Sequence, residues 1–180
     1  MKATGIVRRI DDLGRVVIPK EIRRTMRIRE GDPLEIYTDK EGGVIFKKYS
    51  LLGGVTEFAG QLCETLWRTS GHICAITDRD SCIAAAGVSK RELVDKQISA
   101  QAEQWMENRQ VFPASAQERS SPLCSDGEKY RVLAGAPILS EGDVLGSVVL
   151  VGTEEDNQVG EVEVKLVQAV AGFLGRHMES

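Results

Sequence analysis

The sequence predicts an α+β protein in two unlike parts: a small β-rich head, then a larger body in which helices bracket an antiparallel sheet. Three observations lead there. Charge is divided unevenly, with 12 Lys and Arg against 8 Asp and Glu in residues 1–50, and 11 against 19 in residues 51–180. The first fifty residues alternate short β-type runs with one short helical stretch. The rest opens and closes on long helical periodicities, with strand-like runs between them. Ser50-Leu51-Leu52-Gly53-Gly54 is the only plausible joint and divides the chain into a head, 1–52, and a body, 53–180. Five residues are too few for a flexible tether, so the two parts are expected to be geometrically coupled.

Composition bounds the class. The chain has 180 residues, is 42% hydrophobic and carries a net charge of -4, which suits a globular protein and excludes disordered and collagen-like extremes. No apolar run approaches the roughly 18 residues of a membrane span. The amino end shows no basic region followed by a long apolar stretch, so secretion is not expected. Four cysteines are too sparse for a disulfide scaffold and point to a reducing compartment, the cytoplasm.

In the head, Ile6 to Ile10 is a β-type run, Asp11-Asp12-Leu13-Gly14 a turn, and Arg15 to Ile18 a second run. Pro19 suits the first turn of a helix, predicted to reach about Arg27. Leu34–Thr38 and Val44–Lys48 then flank the glycine-rich loop Asp39–Gly43 as a hairpin. This β-β-α-β-β head cannot bury much. Domains of this size need metal, disulfides or a partner chain. No Cys precedes Cys63 and no His precedes His72, so association remains, and the head is expected to be an obligate dimer.

In the body, Val55, Phe58, Ala59, Leu62 and Leu66 mark a helix ending near Ser70-Gly71. His72–Thr77 and Cys82–Ala86 read as buried strands, and Ser89–Asp95 and Ala100–Asn108 as helices. Val111–Pro113 reads as a short strand and Ala114–Asp126 as a loop. Tyr130–Leu139 and Asp143–Val151 are strands about a Glu141-Gly142 turn, and Val159 to Leu174 marks a long closing helix.

The sharpest chemical signal follows Pro19. At helical spacing Lys20, Arg23, Arg24 and Arg27 fall within an arc of about 100°, with Ile22 and Met26 opposite as a packing face. Between Lys2 and Arg29 there are seven Arg and two Lys against Asp11, Asp12 and Glu21. Arginine favours bidentate contacts to phosphate and guanine. A solvated surface is the plain alternative; crowding of like charge on one face, with Arg8, Arg9 and Arg15 on the segments feeding it, favours a polyanion partner.

The stretch Thr4-Gly5-Ile6-Val7-Arg8-Arg9-Ile10-Asp11-Asp12-Leu13-Gly14-Arg15-Val16-Val17-Ile18-Pro19, followed by Glu21-Ile22-Arg23-Arg24, strongly resembles the DNA-binding domain of the AbrB-type transition-state regulators. Leu34–Tyr37 and Lys47-Lys48-Tyr49 extend the likeness to the end of the head. The resemblance implies an interlocked homodimer, the swapped-hairpin barrel, and double-stranded DNA contacts through Arg8, Arg15, Arg23 and Arg24. Arg9 stands where that family also tends to carry a base. Lys20 departs from the family's apolar residue, so its part in DNA binding rests on its place on the basic face. With this body attached, the whole chain resembles a bacterial developmental regulator that activates or represses sporulation genes. That implies a nucleoid-associated, forespore location.

The body resembles a GAF domain in element order and size. Such a domain often holds a small ligand under a capping segment, here Gln110 to Asp126; a purely structural dimerisation domain is the competing reading. The Asn-Lys-X-Asp-Glu signature of cyclic-nucleotide binders has no match. Helices 55–69 and 159–178 carry wide apolar surfaces, and a second dimer contact through them is expected to give a homotetramer. Cys63, Cys74, Cys82 and Cys124 lack zinc spacing, and no metal or other cofactor is expected. Cys63, Cys74 and Cys82 read as buried thiols, and Cys124, in the loop, as the reactive candidate. Some GAF-type enzymes reduce methionine sulfoxide with cysteines, but the expectation here is a non-enzyme. His72, His177, Trp67 and Trp105 read as structural. The rival from another class is an antitoxin that neutralises a toxin and regulates its own promoter; a folded body rather than a disordered tail argues against it.

Overall fold

The structure is a computed structural model that describes residues 4–113, 120–153 and 159–179. Two compact units are present, Met1–Tyr49 and Ser50–Ser180.

The first unit holds one short helix, α1 (Lys20–Thr25), and one hairpin, β1 (Leu34–Thr38) with β2 (Val44–Lys48). The hairpin is antiparallel, pairing Leu34 with Lys48 and Thr38 with Val44. Asp39 closes its loop, accepting the N–H groups of Glu41 at 2.9 Å and Gly43 at 2.6 Å. The expected strands at Ile6–Ile10 and Arg15–Ile18 do not form within one chain. Only a turn joins them, with the Asp11 N–H donating to the Arg15 carbonyl at 3.0 Å. The physical reason is the absence of a ladder partner: a strand exists by its inter-strand hydrogen bonds, and this chain offers the two runs none beyond the turn. No described residue from 4 to 49 is buried.

The second unit begins with a 3-10 turn, Leu51–Val55, whose Leu52 is buried in the body core. Helix α2 (Thr56–Ser70) follows and stops at Gly71, which takes φ +76° and donates its N–H to the Trp67 carbonyl at 2.8 Å. Strands β3 (Ile73–Asp78) and β4 (Cys82–Ala86), helices α3 (Lys90–Leu93) and α4 (Ala100–Glu107), strands β5 (Ser121–Pro122), β6 (Arg131–Ser140) and β7 (Asp143–Gly152), and helix α5 (Glu161–Met178) complete it. The five strands form one antiparallel sheet in the order β4-β3-β7-β6-β5. Glu141 and Gly142, both at positive φ, make the tight β6–β7 turn.

Within Ala114–Asp126, expected to be all loop, Ser121–Pro122 adds an edge strand against Arg131 and Val132. Residues 114–119 lie outside the described residues, as do 154–158. Phe112 bridges Gly135 as a single ladder position rather than a strand.

Each face of the sheet has its own core. On one face α2 buries Ala59, Cys63 and Leu66, and α5 buries Val167, Ala171, Leu174 and Gly175, both at i, i+4, i+7 spacing. On the other, Leu93, Ile98, Trp105, Met106 and Leu123 pack on Val132 and Val149. Two glycines permit close approaches: a side chain at Gly175 on α5 would strike the Leu139 carbonyl of β6 in the sheet below, and one at Gly146 on β7 the Thr77 carbonyl of the neighbouring strand β3.

Candidate nucleic-acid interface

Helix α1 starts because Pro19 brings a preset φ of -56° and its carbonyl accepts the Arg23 N–H at 2.9 Å. It ends after six residues. Arg27 takes φ +51°, and the Ile28 N–H turns back to the Arg23 carbonyl at 2.8 Å. Lys20, Arg23 and Arg24, at i, i+3 and i+4, are thereby brought together as exposed neighbours on one helix, with Ile22 half-buried behind them.

The predicted arc loses one member. Arg27 lies past the helix end and is half-buried, and its carbonyl accepts from Lys48 Nζ at 2.7 Å. Lys48 also pairs with Asp32 at 3.5 Å, and Asp32 accepts the Arg29 N–H at 2.8 Å. These bases are drawn into the head's own framework. Met26, expected to pack, is exposed, because the helix ends beneath it.

Arg8, Arg9 and Arg15 sit apart from α1 in sequence, around the Asp11–Gly14 turn, and all three are exposed. Gly14, at φ +74°, lets that turn close, with its N–H on the Asp11 carbonyl at 3.0 Å. Among the described residues no acidic side chain pairs with Arg8, Arg9, Lys20, Arg23 or Arg24, whereas Arg15 Nε donates to Asp11 Oδ2 at 2.8 Å. Three N–H groups converge on the Asp11 carboxylate. The Arg15 backbone N–H at 2.8 Å and the Arg15 guanidinium hold it below the usual carboxylate range, with the Leu13 N–H at 3.0 Å adding to them. Asp11, in sequence only a turn residue, is the acid that engages Arg15. Its signal was an acidic side chain at the first position of a turn, four residues before an arginine.

In the body, all four cysteines are free and buried. That corrects the expectation for Cys124, which bridges Ile98 beside the sheet instead of standing in an open loop. Burial pushes its thiol up to about 11, so little thiolate forms at neutral pH. Cys63 and Cys82 are pushed up as well, Cys63 first by its hydrogen bond with Cys74 and Cys82 by burial. His177 packs between aromatic rings, 5.2 Å from Phe58 and 6.1 Å from Phe173. Trp67 and Trp105 each cover a glycine, Gly87 and Gly135. Among the described residues no three His, Cys, Asp or Glu side chains gather as metal ligands.

A family model described as stage V sporulation protein T C-terminal, transcription factor, matches residues 54–179. The chain is also 48% identical to stage V sporulation protein T of Bacillus subtilis (strain 168), over 99% of both chains. The chain belongs to the stage V sporulation protein T family. As a member of that family it is a sequence-specific transcription regulator with an AbrB-like head. The head is 65% identical over 49 residues to the transition state regulatory protein AbrB of the same organism, spanning 27% of this chain and half of that one. A model for the MazE antitoxins, described as antidote-toxin recognition, matches residues 7–50. The body's fold is that of a GAF domain. It resembles the blue-light absorbing PixJ GAF domain of Thermosynechococcus elongatus with a TM-score of 0.52 at 15% identity, covering 73% of this chain and 89% of that one.

Proposed function

We propose that this stage V sporulation protein T family member regulates transcription by gripping double-stranded DNA through a homodimeric head, with Arg8, Arg9, Arg15, Lys20, Arg23 and Arg24 as the DNA-facing residues. The observation that carries the reading is the set of five exposed cations with no acidic partner among the described residues. Unpaired like charges repel one another, and a phosphate backbone relieves that repulsion while releasing counterions. If each protomer neutralises three or four phosphates, a dimer's log affinity falls against log salt with a slope of about -5 to -7. Titrating full-length protein against labelled duplex at several salt concentrations tests this.

The dimer is supported by the lack of a core. No described head residue is buried, yet Val7 is 84% exposed and Val17 70%, alongside Ile10, Leu13, Ile36, Val44 and Phe46. A second copy that pairs the 6–10 and 15–18 runs supplies both the ladder and the apolar cover, as the swapped-hairpin barrel does. In the body, Val162 and Phe173 on α5 and Trp67 on α2 are exposed, which supports a second contact and a homotetramer. A DNA regulator of this kind works in the cytoplasm, on the nucleoid and, by its family, in the forespore.

Ligand sensing by the body is a second proposal. It rests on Trp105 Nε1 and Ser121 Oγ, buried polar atoms with no partner among the described residues, on the sheet face that carries α3 and α4. A thermal-shift screen against metabolites at physiological concentration that raises no melting temperature favours a purely structural body. The antitoxin alternative shares only the head, and a pull-down recovering one small toxic protein would revive it.

A further inference from the structure

We infer that Asp11 and Arg15 form the sequence-reading element of the head, with Asp11 as a positioning residue that aims Arg15 at a base edge, while the unpaired cations hold phosphates. The inference rests on the DNA-binding reading above and goes further by dividing its arginines into two jobs.

Reading a base needs a guanidinium fixed in direction, because the acceptor pairs at base edges, such as O6 and N7 of guanine, are presented at set positions in the groove. Holding a phosphate does not; its oxygens accept from many directions, and such contacts set register without reading sequence. Among the described residues, Arg15 is the one of the six whose direction is fixed by a side chain. Its Nε is tied to Asp11 Oδ2 at 2.8 Å, and its own backbone N–H is tied to Oδ1 of the same carboxylate at 2.8 Å. The carboxylate is itself held by the turn, through the Leu13 N–H at 3.0 Å and the Asp11 N–H to the Arg15 carbonyl at 3.0 Å. Both ends of the side chain are therefore anchored on one acid. With Nε engaged, the two terminal nitrogens remain as a forked pair of donors on an exposed arginine.

Charge points the same way. The Asp11–Arg15 pair is neutral as a unit, so it gains little from counterion release and repels a closely approaching phosphate through the acid. Arg8, Arg9, Lys20, Arg23 and Arg24 have no such partner among the described residues and carry the electrostatic attraction. A head built this way separates affinity, held by the free cations, from selectivity, held by one buttressed arginine whose orientation costs little entropy to fix on binding.

The test uses full-length protein and two labelled duplexes, one recovered by selection from a random pool and one of mixed sequence. Affinities are compared for Asp11→Ala, Asp11→Asn, Arg15→Ala and the double variant, with thermal melting of each to verify folding. Arg15→Ala and Asp11→Ala are each expected to lower the selected-to-mixed affinity ratio by about fivefold or more. The double variant is expected to be no less selective than Arg15→Ala alone, because Asp11 acts through Arg15. Asp11→Asn, which keeps acceptors for the turn, is expected to retain its melting temperature and still lose selectivity. If Arg15→Ala instead weakens both duplexes equally and makes the salt slope shallower by about one or two, Arg15 is a phosphate contact. The division of labour then fails while DNA binding stands. An Arg15→Ala variant unchanged on both duplexes removes Arg15 from the DNA site altogether. A selectivity loss on removing Asp11 that persists in the Arg15→Ala background overturns the positioning role.

Discussion

Single side chains decide how the head meets a polyanion and how the body treats its thiols. Arg23 and Arg24 are exposed, unpaired with any described acid and next to one another on α1. Replacing either by Ala is expected to weaken DNA binding on every sequence and to make the salt slope shallower by about one per lost contact, with the oligomer intact. Binding isotherms and light scattering on the same samples check both halves of that statement. Cys124 sets a second expectation. With its thiol raised to about 11, it is protonated at pH 7.5, and its alkylation by iodoacetamide is slow in the folded protein. The rate should climb about tenfold per pH unit until the pH nears that value, since only the thiolate reacts. Rapid labelling of Cys124 at neutral pH, read by peptide mass mapping, contradicts its burial.

Elements show what the sequence could and could not reveal. Periodicity made α2, α5 and the paired runs of β3, β4, β6 and β7 legible, because each buries a regular face within one chain. The Glu141-Gly142 turn was legible because Gly142 takes a positive φ at no Cβ cost, although Glu141 beside it adopts one as well. The 6–10 and 15–18 runs look like strands in sequence yet are not strands in the single chain, because strand identity depends on a partner that local pattern cannot supply. Arg27 falls off the basic face because helical spacing says nothing of where a helix ends, and its φ of +51° follows an α1 that stops at Thr25, two residues short of the expected end. The six candidate site residues come from the family resemblance and from charge on the helix face, but the Asp11 buttress needed the turn geometry. The helix–sheet spacing was likewise hidden. Gly175 lets α5 lie against β6, and Gly175→Ala is expected to destabilise the body by about 1–3 kcal/mol through overpacking against the Leu139 carbonyl. Calorimetry should show a melting temperature lowered by several degrees; an unchanged value contradicts that close approach.

At the scale of the whole molecule, a coreless basic head and a twin-cored acidic body share one chain. The net charge of -4 averages a head at +4 and a body at -8. Like charge predicts that the acidic body is repelled by DNA, leaving the head to choose the site. Two apolar surfaces, one on the head and one on the α5 face, favour a tetramer built from two kinds of dimer contact. Phe173→Glu is expected to halve the particle mass by breaking the body contact, and Val17→Asp to do so by breaking the head contact and to abolish DNA binding as well. Sedimentation of each variant separates the two. The central claim, a dimeric head that binds DNA through its free cations, is tested most directly by the salt dependence of full-length protein binding to duplex DNA. A slope of log affinity on log salt of about -5 to -7 is the expected result, and a slope near zero would contradict it.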